Sequence, residues 1–135
     1  MLELYSCKVS RGFTLVELLI VIAILGILYS IAMPTYTQYL LESRRADVQQ
    51  LLLQNAAVLE RQYTRAGGYP ATFSFSNSDY YTFSYQSNAS NGQSNGRTYT
   101  LKATPKGVQS SDRCGSLIID QTGAKRASQA DCWVS

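Results

Sequence analysis

The first third of the chain is dominated by a stretch that is apolar on every side. Between Phe13 and Met33 only Glu17 carries a charge. At about 1.5 Å per residue, a helix of this length measures about 31 Å, which matches the roughly 30 Å hydrocarbon core of a bilayer. A buried core helix is disfavoured, because the rest of the chain is too small to surround it. The pattern therefore predicts one membrane-spanning helix over residues 13–40.

Beyond Pro34 the pattern becomes amphipathic. Proline removes a helical hydrogen bond and costs about 3 kcal/mol in a helix interior, so we expect a kink there. The helical pattern then continues, and Gly67-Gly68 predicts its end. We assign Arg44 and Arg45 to a solvated face. Apolar side chains recur at spacings of seven and four, which places them on one helix face: Leu41, Val48, Leu52, Leu59 and Tyr63.

Residues 71–135 alternate between short strand-like runs and polar loops. High β-propensity predicts strands at 80–85, 97–103 and 116–120, with a possible fourth at 125–127. The polar run 87–96 predicts a flexible hairpin connection. We expect an antiparallel sheet of three or four strands to cover the apolar stripe of the helix. The fold class is therefore α+β, with a globular domain over residues 41–135.

A short polar segment, residues 1–12, precedes the apolar run. Secretory signal peptides also begin with positive charge, but their apolar region spans about 7 to 15 residues and ends at a small-residue cleavage site. Here the run is longer and no such site follows it. We therefore expect processing before the run, between Gly12 and Phe13. That cut would remove residues 1–12 as a leader peptide and leave a positive amine on Phe13.

Glu17 does not suit a simple membrane anchor. A carboxylate at the membrane centre costs at least about 2.5 kcal/mol, and less near an interface, so such a residue usually marks function. After cleavage, the Phe13 amine and the Glu17 carboxylate would be the two charges of the segment. If Glu17 of one helix meets the amine of its neighbour, the axial stagger of packed helices is fixed, because any other register strands two charges in an apolar medium.

The three cysteines fall into two groups. Cys7 lies in the predicted leader and would be lost with it, which leaves Cys114 and Cys132 in a domain expected outside the cytoplasm. We predict a disulfide between these two, worth about 3 kcal/mol by loop closure. A metal site would need more ligands nearby.

Composition gives little support to catalysis. The chain has no histidine, so the commonest general base is missing, and it lacks a phosphate-binding glycine loop and a nucleophile elbow. We predict no enzymatic activity, no cofactor, no metal and no small-molecule substrate.

Loss of the leader, with Glu3, Lys8 and Arg11, lowers the net charge from +3 to +2. A net charge of this size is too small to indicate nucleic-acid binding by itself.

The N-terminal residues resemble a known family. The segment RGFTLVEL at 11–18, with Gly26 and with Pro34 followed by two tyrosines, is similar to the prepilin signature of type IV pilins and pseudopilins. The resemblance implies a prepilin peptidase that cuts after Gly12 and methylates the Phe13 amine. It also implies a single-pass precursor in the bacterial inner membrane, which assembles with other pilin subunits into a surface filament. We expect the helix to be weakened between Gly26 and Pro34 and to extend as the filament packs.

The C-terminal half is similar to the PilE-type minor pilins. The similarity rests on ATPKGVQ at 103–109, DRCGSL at 112–117, DQTG at 120–123 and CW at 132–133. It implies a low-abundance subunit that helps to start the filament and so contributes to twitching motility, adhesion and DNA uptake. Closure of a C-terminal loop by a disulfide agrees with this resemblance.

Three alternative roles stay open, namely a major pilin, a type II secretion pseudopilin and a DNA-receptor pilin. The cysteine pair speaks against a pseudopilin, because major pseudopilins usually stabilise that region with calcium. A DNA receptor would need the fold to gather a basic stripe. The candidate residues are Arg44, Arg45, Arg97, Lys102, Lys106, Arg113, Lys125 and Arg126.

Overall fold

The structure, a computed structural model, describes residues 12–76, 78–90 and 92–133. Cys7 and the predicted leader, apart from Gly12, lie outside the described residues. The elements, in chain order, are α1 (Leu15–Ala66), β1 (Tyr81–Ser87), β2 (Tyr99–Pro105), a 3-10 helix (Gly107–Ser111), β3 (Leu117–Asp120), β4 (Lys125–Arg126) and a second 3-10 helix (Ala130–Cys132).

The chain divides into two units, with the boundary between Thr37 and Gln38. In the first unit, every described residue is exposed. By length and composition, α1 contains a segment able to cross a membrane, and none of that segment is buried. The helix continues through Gly26 and Pro34 without interruption. The kink expected at Pro34 stays a prediction.

The second unit is a two-layer α+β fold, which confirms the predicted fold class. Its sheet is antiparallel with the strand order β1-β2-β3-β4, so each strand pairs with the next along the chain. The core lies between this sheet and the second half of α1. Helix and sheet contribute Val48, Leu52, Ala56, Leu59, Tyr81, Tyr99, Leu101, Ala103, Leu117 and Ile119, all buried.

Glycine ends the helix where the sequence predicts it. Gly67 has a φ of 78°, a conformation that is strained for residues with a Cβ. Its N–H donates a hydrogen bond of 2.8 Å to the Tyr63 carbonyl. The chain can therefore leave the helix at once and begin the path toward the sheet.

Aromatic rings close the core beyond the helix end. The Tyr69 ring lies 4.7 Å from the rings of both Tyr63 and Tyr99, measured between centroids. The Tyr69 hydroxyl donates to the Glu60 carboxylate at 2.8 Å. Burial, followed by the negative charge of Glu60, raises the pKa of Tyr99 to about 12. The Tyr99 phenol therefore stays neutral at physiological pH.

Two further phenylalanines extend the aromatic packing to the β1 side of the sheet. Phe73 packs against Tyr85 with 5.7 Å between ring centroids, and Phe75 stacks on Phe83 at 5.3 Å. All four side chains are partly buried. Residues 72–76 therefore cover the core-facing side of β1 through side chains.

Candidate functional sites at the helix start and the disulfide loop

The start of α1 carries a reciprocal pair of hydrogen bonds between Thr14 and Glu17. The Glu17 N–H donates to Thr14 Oγ1 at 3.2 Å, and the Thr14 N–H donates to Glu17 Oε2 at 3.4 Å. This is a capping box, which satisfies backbone donors that the first helical turn leaves without partners. Sequence reasoning missed it, although threonine followed three residues later by glutamate is a known helix-start signal.

The predicted cleavage point lies beside this cap in exposed chain. Gly12 is exposed and precedes the helix, and the Phe13 side chain is 80% exposed. The helix N-terminus carries a partial positive charge, which favours the carboxylate of Glu17 there. Gly12 and Phe13 are thus both accessible to another protein, and the Glu17 carboxylate, which can accept a hydrogen bond from a cation, lies about one helical turn away.

The predicted disulfide joins Cys114 to Cys132, with 5.6 Å between their Cα atoms. Both cysteines are buried. The loop that the bond closes contains β3 and β4, so half of the sheet lies inside a covalent ring.

An ion pair links the helix to the residues just before this ring. Arg45 Nη1 lies 2.6 Å from Asp112 Oδ1, and the two side chains are 10% and 0% exposed. The same carboxylate accepts hydrogen bonds from the Cys114 N–H and from Gln109 Nε2. The prediction of a solvated face for Arg45 was therefore wrong. Asp112, 67 residues away in sequence, supplies the opposite charge that offsets the cost of burying the guanidinium.

Glutamine side chains make the other links between helix and loop. Gln49 Nε2 donates to the Cys132 carbonyl at 2.5 Å. Gln109 Nε2 also donates to the Leu41 carbonyl and to the Tyr81 hydroxyl, at 3.0 and 3.1 Å. Arg45 and Gln49 are one helical turn apart, so adjacent turns of the helix bind Asp112, two residues before the disulfide loop, and Cys132 at the end of that loop. The buried set of Arg45, Gln49, Gln109 and Asp112 is called the polar clasp below.

A second carboxylate shapes the turn between β3 and β4. Asp120 accepts hydrogen bonds from the Thr122 hydroxyl, the Thr122 N–H and the Ala124 N–H, and it pairs with Arg126. The Thr122 hydroxyl is the largest of the influences that lower the pKa of Asp120. The carboxylate thus holds this turn in its charged form.

The eight candidate cationic residues do not form one stripe. Arg45 is buried in the clasp, and Arg113 and Arg126 pair with acidic side chains. Arg44 packs over the Tyr80 ring at 3.8 Å and is half-buried, so it is only partly exposed to solvent. Arg97 donates to the Tyr63 hydroxyl at 2.8 Å.

One pair of cations does share a surface. The strand register aligns Ser84, Lys102, Ile118 and Arg126 in a row across the sheet. Lys102 and Arg126 are both exposed. Because neighbouring side chains on a strand alternate between faces, this row lies on the face opposite the buried Leu101 and Ile119. In residues 12–76, 78–90 and 92–133 no cluster of acidic or cysteine side chains is arranged to hold a metal ion.

Two family models match the chain. Residues 34–118 match the family described as "Type IV minor pilin ComP, DNA uptake sequence receptor". Residues 7–33 match the "Prokaryotic N-terminal methylation motif". The second match contains the predicted cleavage point and the helix-start cap.

Solved structures show the same architecture. A type IV pilin from Shewanella oneidensis is 41% identical, with a TM-score of 0.62 over 70% of this chain and 99% of that one. The non-core minor pilin PilV of Neisseria meningitidis, at 20% identity and a TM-score of 0.52, shares the fold. The long helix, the antiparallel sheet and the disulfide loop therefore form a pilin fold. The chain belongs to the type IV pilin family.

Curated relatives match over shorter lengths. Fimbrial protein EcpC of Eikenella corrodens is 41% identical over 64 residues, which is 47% of this chain and 42% of that protein. Fimbrial protein Q of Moraxella bovis is 55% identical over 38 residues, or 28% and 24% of the two chains. The chain thus spans less than half the length of these relatives.

Pilins are structural subunits that assemble into filaments, and the methylation motif implies processing by a prepilin peptidase.

Proposed function

We propose that this protein is a minor type IV pilin of the PilE type, which acts at the start of filament assembly. The observation that carries the proposal is the match of residues 34–118 to a family described as a minor pilin. The proposed organisation is a leader at 1–12, a hydrophobic helix at 13–40 and a globular domain at 41–135. The apolar helix and the family fit a precursor anchored in the inner membrane and a product in a surface pilus.

The proposed mechanism begins with cleavage between Gly12 and Phe13 and methylation of the new amine. Glu17 then binds the amine of a neighbouring subunit. The capping box supports this exchange, because the bond from the Thr14 N–H to Glu17 is long, at 3.4 Å, and an ammonium donor would pair the carboxylate with a full positive charge at a shorter distance. In an apolar filament interior, one axial stagger pairs every amine with a carboxylate.

DNA reception is the second candidate function. It is favoured by the description of the matched family and by the shared sheet face of Lys102 and Arg126. Binding through phosphate contacts would weaken steeply with salt, and Lys102→Ala would lower the slope of log affinity against log salt by about one. Lys125→Ala is the matched control. Lys125 precedes Arg126 in β4, but it is not part of the row that contains Lys102, and it lies near the Trp133 ring.

Quantitative mass spectrometry of filaments sheared from cells tests the main proposal. The measurement looks for a chain that begins at N-methylated Phe13 and counts it against the other subunits. A trace amount with that terminus supports a minor pilin. A dominant amount indicates a major pilin, and absence from filaments together with presence in the membrane indicates a secretion pseudopilin.

A further inference from the structure

The turn after β2 exposes an apolar side chain to solvent. Where β2 meets the first 3-10 helix, the chain runs Lys106-Gly107-Val108, and all three residues are exposed. Val108 has 65% of its surface exposed. Gly107 has a φ of 58°, a conformation that favours glycine and lets the chain turn sharply. Residues 106–108 are called the turn tip below.

Hydrogen bonds on both sides hold the turn tip in place. The Lys106 N–H donates to the Tyr80 carbonyl at 2.9 Å. On the other side, the buried Gln109 side chain donates to the Leu41 carbonyl at 3.0 Å. Because the side chain of Gln109 is fixed in the interior, the neighbouring Val108 stays on the outside.

Two cations lie at this surface. Lys106 is part of the turn tip, and Arg44 packs over the ring of Tyr80, whose carbonyl accepts the bond from Lys106. Among the described residues neither cation has an ion-pair partner. Asp79 lines a cleft together with Lys106, so the surface carries both signs of charge. An exposed apolar side chain beside a tyrosine and cations is typical of the boundary between hydrocarbon and water.

The chain itself brings a membrane to this surface. Leu41, which accepts the hydrogen bond from Gln109, directly follows the proposed hydrophobic helix at 13–40. We propose that the turn tip and Arg44 contact the phospholipid headgroups of the membrane that anchors the precursor. Val108 enters the layer between headgroups and acyl chains, and the two cations bind lipid phosphates.

This contact rests on the proposed membrane-anchored precursor and adds a role for its globular domain. One valine and two cations bind a bilayer weakly and reversibly. The domain is therefore held in one orientation on the membrane surface and is still released when the subunit enters the filament.

Fluorescence quenching in lipid vesicles tests this contact with the full-length chain. A fluorophore is attached at Ser110→Cys, beside the turn tip, or at Thr122→Cys, in a Cys7→Ser background with the native disulfide formed. Strand β3 runs antiparallel to β2, so the turn that contains Thr122 lies at the opposite end of the sheet from residues 106–108. The vesicles contain phosphatidylethanolamine, phosphatidylglycerol and a lipid with a nitroxide on its headgroup. We expect several-fold stronger quenching at position 110 than at position 122.

Proximity to the anchor would also favour position 110, so the deciding comparison removes the contacts themselves. Lys106→Gln combined with Val108→Asn should lower the quenching at position 110 toward the value at position 122. The matched control is Leu53→Asn, at another exposed apolar side chain, which should leave the quenching unchanged. Quenching that survives the double change, or that falls equally in the control, overturns the proposal, as does equal quenching at the two positions.

Flotation of the vesicles in a density gradient separates the contact from the anchor. A chain that does not float with the vesicles shows that the membrane anchor and the headgroup contact are both wrong. A chain that floats, but whose quenching is insensitive to the double change, shows that only the contact is wrong. Val108→Ala replaces Val108→Asn if circular dichroism shows that the double variant is misfolded.

Discussion

Asp112 lies two residues before Cys114 and holds Arg45 of the helix in a buried ion pair at 2.6 Å. One carboxylate thus receives the helix, through Arg45, and the disulfide loop, through the Cys114 N–H. Apolar attraction has no preferred direction, whereas this ion pair and its hydrogen bonds require one alignment of the loop with the helix. We therefore expect the polar clasp to specify where the C-terminal region lies.

We expect Asp112→Ala to destabilise the fold by about 3 to 5 kcal/mol, because it leaves the Arg45 charge buried without a partner. Asp131→Ala is the matched control, since it breaks the exposed pair with Arg113 and should leave stability close to that of the wild type. Thermal unfolding followed by circular dichroism measures both. Equal effects of the two variants would show that the buried ion pair contributes no more to stability than the exposed one.

Removal of the disulfide should cost about 3 kcal/mol, because the unfolded chain regains the freedom of an open loop. The variant is the double change Cys114→Ser with Cys132→Ser. Chemical denaturation of this variant and of the reduced wild type should give the same free energy of unfolding. If the oxidised wild type has that same free energy of unfolding, the disulfide does not stabilise this fold.

Glu17 offers a test that separates charge from capping. Glu17→Gln keeps a side chain that can accept from the Thr14 N–H but removes the negative charge, whereas Thr14→Ala removes half of the cap and keeps the charge. We expect Glu17→Gln, like Glu17→Val, to be cleaved normally and to yield few filaments, while Thr14→Ala assembles. Immunoblots of cell and sheared-filament fractions report both steps. Wild-type piliation by Glu17→Gln would exclude charge pairing.

Assembly itself should disrupt the helix between Gly26 and Pro34. Gly26 has high backbone entropy outside the helix, and Pro34 cannot donate a helical hydrogen bond. The segment is helical in the isolated chain, so a filament map at side-chain resolution gives a direct comparison. We expect extended backbone there in the filament. A helix continuous through both residues in that map would contradict the prediction.

The turn held by Asp120 should respond to acid. The pKa of this carboxyl is lowered in the folded protein, so its contribution to stability is complete above the unfolded value near 3.9 and is lost as the pH falls through the folded value. Asp120→Asn should lower the melting temperature by a few degrees at pH 7. That difference should begin to shrink as the pH falls below about 4 and should close only below the folded pKa, and a difference that stays constant down to the acid-unfolded range would show that the charge is not responsible.

Local patterns predicted most of this fold. The strands lie within two residues of their predicted positions and the glycine pair ends the helix, because both features depend on residues that are close in sequence. The disulfide was predictable because two cysteines remain after the predicted leader is removed. The failure at Arg45 has a different cause. Position 45 lies four residues after Leu41 and three before Val48, so the helical period already placed it on the buried face. Only the sequence-distant Asp112 makes that burial favourable, and no local pattern identifies such a partner.

The place of β1 at the rim of the sheet could not be predicted either. Strand propensity identified residues 80–85 as a strand, but whether a strand lies at the centre or the rim of a sheet depends on pairing order. The polar run 87–96 indicated a connection between two strands, and only the strand order of the folded sheet shows that β1 is the first of them.

The polar clasp also has a mechanical consequence. In the proposed filament, tension would load the contact between the second half of the helix and the C-terminal region of each subunit. Arg45 binds Asp112, two residues before a covalently closed loop, and Gln49 binds Cys132 at the end of that loop. A load between helix and loop would therefore be shared among an ion pair, a hydrogen bond and a disulfide, in addition to the apolar core.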